Sequence, residues 1–180
     1  GSKSTLVRQA NVASAVSLGN NAVVKGNVIS NTGYGGINIG LDSLVEDNSV
    51  SDFCLTLNDC GGIMLGKGSS GSRIVGNLLQ RATGSTDGLP SIYYSHSGGM
   101  YADDYTANAE YSNNAVFDTD YGMMVHDANN VKVHNNLFYG NRRQQLWVQE
   151  TRNAVRAEGD VYQIDVRENM IFPTTRSAIV

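Results

Sequence analysis

Apolar residues along this chain recur in short alternating runs, not at the spacing of a helix face. One family of runs ends at an asparagine: Asn27 in VVKGNVI, Asn48 in LVEDNSV, Asn77 in RIVGNLL, Asn114 in YSNNAVF, Asn136 in VHNNLFY and Asn169 in VRENMIF. A second family begins at or just after a glycine: Val16-Ser17-Leu18-Gly19, Ile37-Asn38-Ile39-Gly40, Ile63-Met64-Leu65-Gly66, Met100-Tyr101-Ala102-Asp103, Met123-Met124-Val125-His126 and Leu146-Trp147-Val148-Gln149. Successive asparagines are 21, 29, 37, 22 and 33 residues apart. A minimal period of about 22 residues, carried by strands and Asn/Gly turns, predicts a β-solenoid of about six coils.

Three coils are longer than the minimum, and insertions into a solenoid belong to its turns. The first insertion holds Cys54 and Cys60, the second spans roughly 81–98 with Tyr93, Tyr94 and His96, and the third covers roughly 151–162. Long loops on a regular scaffold are where binding groups concentrate. The six asparagines suit a corner: asparagine tolerates the left-handed backbone conformation, and its amide can bond to its counterpart one coil away.

Composition narrows the class. Twenty glycines against two prolines, with no convincing amphipathic helix, fit an all-β chain of many tight turns. A net charge of -4 and a pI near 5.2 argue against a nucleic-acid partner, which needs a basic surface. No apolar run is long enough to span a bilayer as a helix. The Gly1-Ser2 opening reads as a remnant of cloning, so the expected unit is a single domain over 1–180 excised from a larger multidomain secreted protein. Cys54 and Cys60 can close a small disulfide loop if the protein is exported, and two buried thiols remain the alternative.

These repeats, from Val16 through Phe172, resemble those of the right-handed parallel β-helix proteins of the pectate-lyase-like superfamily. The resemblance implies the fold and a carbohydrate context. It leaves activity open, since the superfamily includes lyases, hydrolases, epimerases, tailspikes and carbohydrate-binding modules. Catalytic members usually have longer stacks and an N-terminal capping helix, neither of which is evident here.

Strand alternation assigns faces. In the Gly-led strands Ile37, Ile39, Ile63, Leu65, Met100, Ala102, Met123, Val125, Leu146 and Val148 point inward. Two outward ladders follow: Asn38, Met64, Tyr101, Met124 and Trp147, and beside it Gly40, Gly66, Asp103, His126 and Gln149. Tyr101 and Trp147, two coils apart, could stack sugar rings while Asp103, His126 and Gln149 bond hydroxyls, with Met124 beside them and Tyr93, Tyr94 and Tyr105 closing the side. The competing reading is that the insertions cover both aromatics.

Asp103/His126 and Asp104/Asp127 are each 23 residues apart, hence one coil apart. Paired carboxylates at the coil spacing permit a retaining glycoside hydrolase built on Asp103 or Asp104 with Asp127; the same aspartates could instead cap turns. Calcium is a weaker option at Asp103, Asp104 and Asp127. The outward ladders carry no Lys or Arg of the kind a polysaccharide lyase needs, and Arg142 and Arg143 lie in a turn. His134 reads as an exposed strand residue, and His96 has no assigned place. The expected protein is a non-catalytic carbohydrate-binding module for a plant cell-wall polysaccharide, xylan mildly favoured, with no obligatory cofactor and its catalytic domain elsewhere in the parent chain. A hydrolase or lyase is the second reading, and the shaft of a tailspike or adhesin the third.

Overall fold

The structure is a computed structural model and describes residues 14–66, 68–82, 84–87, 95–153, 156–157 and 160–173. Each coil contributes one strand to each of three six-stranded parallel sheets. The first sheet holds the Gly-led strands Val16–Ser17, Ile37–Ile39, Cys60–Leu65, Ser97–Ala102, Tyr121–His126 and Gln144–Gln149. The Asn ladder lies at the corner between the second sheet (Val23–Lys25 through Tyr162–Arg167) and the third (Val28–Ser30 through Met170–Phe172). The third insertion adds a short antiparallel pair, Arg152–Asn153 with Arg156–Ala157.

Register repeats from coil to coil without slippage: Ile37 pairs with Ile63, Ile63 with Met100, Met100 with Met123, and Met123 with Leu146. All five are buried, with Ile39, Leu65, Ala102 and Val125 beside them, as the alternation predicts; Val148 is only partly buried. The three sheets meet around one apolar core, each burying its inward face, while the outward faces of the second and third sheets meet solvent.

The Asn ladder is continuous. The amide nitrogens of Asn27, Asn48, Asn77, Asn114 and Asn136 each donate to the next rung's Oδ1 at 2.9 to 3.0 Å. Each receiving Oδ1 also accepts the backbone N–H of the rung before it. The left-handed residue, however, is not the ladder asparagine. It is the residue just before it: Gly26, Asp47, Gly76, Asn113, Asn135 and Glu168 all have φ between 55° and 69°. That residue bends the chain from the second sheet to the third and thereby aims the following asparagine along the stack, where its amide bonds to the next rung.

Glycine has a second role. Gly36, Gly62, Gly99 and Gly122 form an inward column in the first sheet, where an added Cβ would lie 2.4 Å from Val50, 2.7 Å from Leu79, 2.1 Å from Val116 and 2.7 Å from Phe138 respectively. At these positions the strand backbone lies directly against side chains of the third sheet. Cys54 and Cys60 form a disulfide.

Candidate functional site

The outward face of the first sheet is largely roofed. Met64, Tyr101 and Met124 are buried, and Trp147 is half-buried. The roof comes from the first two insertions, which are tied together: the His96 N–H donates to Asn58 Oδ1 at 2.6 Å, and the Cys60 N–H donates to the His96 carbonyl at 3.0 Å. Tyr101 donates its hydroxyl to Asp59 Oδ1 at 3.3 Å, and Tyr34 donates to the Asp59 carbonyl at 2.6 Å. Burial, followed by the charge of Asp59, raises the pKa of both phenols, so both stay protonated donors. Trp147 sits between rings, 6.1 Å from His126 at an interplanar angle of 2° and 5.3 Å from Tyr121, which in turn stacks on His96 at 5.9 Å. The expected sugar-stacking platform of Tyr101 and Trp147 is therefore engaged in internal packing, because the inserted loops fold back over the strands that carry it. Tyr93 and Tyr94 lie outside the described residues. Tyr105 is exposed and left-handed at φ 59°, and Gln149 is exposed at its strand's end.

Toward the N-terminal coils, among the described residues, a cleft of about 490 Å³ opens on the same face. Its apolar surface comes from exposed Leu18, with Met64 at the floor; its polar wall includes Asn38, Asp59, Asp103 and Asp104. Among the described residues none that lines it is Lys or Arg. Burial, with Asp103 contributing second, pushes the Asp59 carboxyl up from the usual carboxylate range. More than a third of Asp59 is nevertheless open to solvent, which screens part of that effect.

At the cleft's end the two acidic pairs converge on one imidazole. His126 Nδ1 lies 3.0 Å from Asp103 Oδ1 and 3.6 Å from Asp104 Oδ1, while Nε2 lies 2.7 Å from Thr151 Oγ1 and 3.3 Å from Asp127 Oδ2. Donor atoms of Asp103, Asp104 and His126 all fall within 4.8 Å of one another. Asp127 belongs elsewhere than expected: it is fully buried on the far side of the ring, left-handed at φ 48°, and its Oδ1 accepts the Thr151 N–H at 2.6 Å. It accordingly braces the third insertion and does not cap its own turn.

His126 gains more from its neighbours than it loses to burial. The hydrogen bond to Asp103 comes first, and the charges of Asp127, Asp103 and Asp104 add to it, raising its pKa above the ordinary 6.5. A raised folded-state pKa means the protonated ring stabilises the fold below the unfolded value, and that stabilisation is lost as pH rises through the folded value. With chelator present, the melting temperature is expected to decline as pH is raised from 6 through neutrality, and to decline less in His126→Gln. Equal slopes for the two proteins would contradict this.

The remaining sequence candidates are structural. Arg142 bridges Asp118 and buried Asp120, each at 3.0 Å, and also donates to the Ala82 carbonyl. His134, half-buried, pairs with Glu110 at 3.3 Å. Sequence reasoning missed Asp59, Tyr34 and Thr151. All three lie in connections flanking Gly-led strands, where alternation assigns no face. For Asp59 and Tyr34 the available signal was position, since each lies no more than three residues before such a strand and hence above the same face.

Among the described residues no helix is long and apolar enough to cross a membrane. The family described as "right handed beta helix region" matches residues 3–171. Among solved structures, the crystal structure of the periplasmic alginate epimerase AlgG is similar, with a TM-score of 0.59 at 12% sequence identity over 92% of this chain and 42% of that one. The chain thus spans less than half the length of that epimerase. Among curated proteins none matches the sequence.

Proposed function

Because the chain belongs to the right-handed β-helix family, we propose that it is a carbohydrate-binding module that takes a polysaccharide or oligosaccharide in the cleft of its first sheet. The observation that carries this is the cleft itself, in which apolar surface of Leu18, with Met64 at its floor, lies beside hydroxyl-bonding groups on Asn38, Asp59, Asp103 and Asp104. A sugar ring presents the same combination, C–H faces beside hydroxyl edges. The carboxylates of Asp59, Asp103 and Asp104, with no cationic side chain among the described lining residues, favour a neutral or amine-bearing polymer over a polyuronate. Plant cell-wall polysaccharide, xylan first, fits the neutral class. The epimerase AlgG acts on alginate, which marks a polysaccharide context for this fold without carrying that substrate over. Export agrees with the disulfide, and a catalytic domain in the parent chain would supply turnover.

Titration calorimetry against soluble xylan, glucan, mannan, chitosan and a pectic polymer tests the reading. Saturable heat with one polymer, weakened at least tenfold in Asn38→Ala and Asp59→Asn, is the expected result. Absence of heat with every polymer would overturn it and favour a structural shaft. Sustained heat flow after each injection would point to hydrolysis. In that case Asp59, whose carboxyl holds its proton longer than usual, supplies the acid, with Asp103 or Asp104 as its partner; Asp127 is sealed beneath His126 and out of a substrate's reach.

A further inference from the structure

We propose that Asp103, Asp104 and His126 form a binding site for a zinc-class divalent cation, with buried Asp127 as the carboxylate that orients His126. The proposal shares Asp103 and Asp104 with the carbohydrate reading but does not depend on it. Three donors converge: His126 Nδ1 is 3.0 Å from Asp103 Oδ1 and 3.6 Å from Asp104 Oδ1. Ligands held at about 2.0 to 2.2 Å from a tetrahedral zinc are roughly 3.3 to 3.6 Å from one another, close to both of these separations, and all three donors lie within 4.8 Å of one another.

The independent observation lies on the other side of the ring. Asp127 is fully buried, and its Oδ2 makes no hydrogen bond although it lies 3.3 Å from His126 Nε2. A buried carboxylate oxygen left without a donor is costly. When Nδ1 binds a cation, the remaining ring proton resides on Nε2, facing Asp127 Oδ2 and Thr151 Oγ1. That is the carboxylate–histidine–metal arrangement, in which the outer carboxylate fixes the tautomer and raises ligand basicity. Stacking on Trp147 at an interplanar angle of 2° holds the ring in this plane.

The donor set selects the ion. Calcium and magnesium prefer oxygen alone, whereas an imidazole nitrogen with two carboxylates suits zinc and its transition-metal neighbours. Asp103 and Asp104 remain partly exposed and line the cleft, so an ion here would keep a coordination position open to solvent.

Chelator-stripped protein titrated with zinc chloride, and separately with calcium chloride, decides the matter by calorimetry. One zinc per chain is expected, with proton release and far weaker calcium binding. His126→Ala abolishes zinc binding, Asp104→Asn weakens it at least tenfold, and Asp127→Asn weakens it about 10- to 100-fold. Should Asp127→Asn fail to melt cooperatively, the partly exposed Asp104 and the hydroxyl of Thr151, removed in Thr151→Val, still decide. No zinc binding, zinc binding unchanged in His126→Ala, or calcium bound as tightly as zinc would each overturn the site.

Discussion

Asn114→Ala is expected to lower the unfolding free energy by about 3 to 5 kcal/mol, a large part of what holds a domain of this size together. Asn114 is buried and saturated. Its amide nitrogen donates to the Ile74 carbonyl at 2.9 Å and to Asn136 Oδ1 at 3.0 Å, while its Oδ1 accepts the Asn77 N–H at 2.8 Å and the Asn77 amide at 3.0 Å. Alanine removes all four bonds and strands their partners where water cannot reach them. Asn27→Ala, at the exposed first rung, frees only the exposed Lys25 carbonyl, since Asn48 Oδ1 keeps the backbone N–H of residue 27, and should cost about 1 kcal/mol or less. Urea midpoints at unchanged slope measure both. Equal losses at the two rungs would refute the assignment of the interior ladder as a buried network.

The second large effect comes from adding one methyl group. Gly99→Ala places a Cβ 2.1 Å from Val116 Cγ1 and 2.9 Å from the Gly122 carbonyl. Overpacking of this kind costs about 1 to 3 kcal/mol, and here the upper end or beyond is expected because one obstacle is backbone. Gly66→Ala is the matched control: nothing lies within 4 Å of its Cβ, and its φ is not left-handed. If the clash is the cause, Val116→Ala combined with Gly99→Ala should cost less than the two single losses added together, the excess being the coupling between them. Strict additivity in thermal or urea unfolding would show that the column tolerates side chains and that its glycines serve another purpose.

These two columns show what the sequence could disclose. The asparagines recur at positions that must coincide once coils stack, so the repeat alone places them at a corner, and alternation alone buries Ile63, Met100 and Met123. The left-handed turn fell one residue earlier than expected because several residue types, Gly26, Asp47 and Glu168 among them, supply it without sharing a letter. Outward direction was also legible for Tyr101 and Met124. Exposure was not, because it depends on where the inserted loops lie, and loops carry no period. The meeting of Asp103, Asp104 and His126 followed from the one-coil offset, whereas Asp127 crossed to the far side of the imidazole because its own left-handed backbone turns it there. The contributions of Asp59 and Thr151 depend on loop paths, and no spacing rule reaches them.

The Asn rungs also bear on how such a protein can change over generations. Each rung closes a loop of 21 to 37 residues, and loop-closure entropy grows only with the logarithm of length, so the longest coil costs about 0.5 kcal/mol more to close than the shortest. New sequence can therefore enter a corner at almost no thermodynamic penalty while the ladder keeps the neighbouring coils in register. Drift in the corner loops and constancy in the rungs are decoupled, and a new specificity can arise in this scaffold by lengthening or rewriting one loop without renegotiating the core.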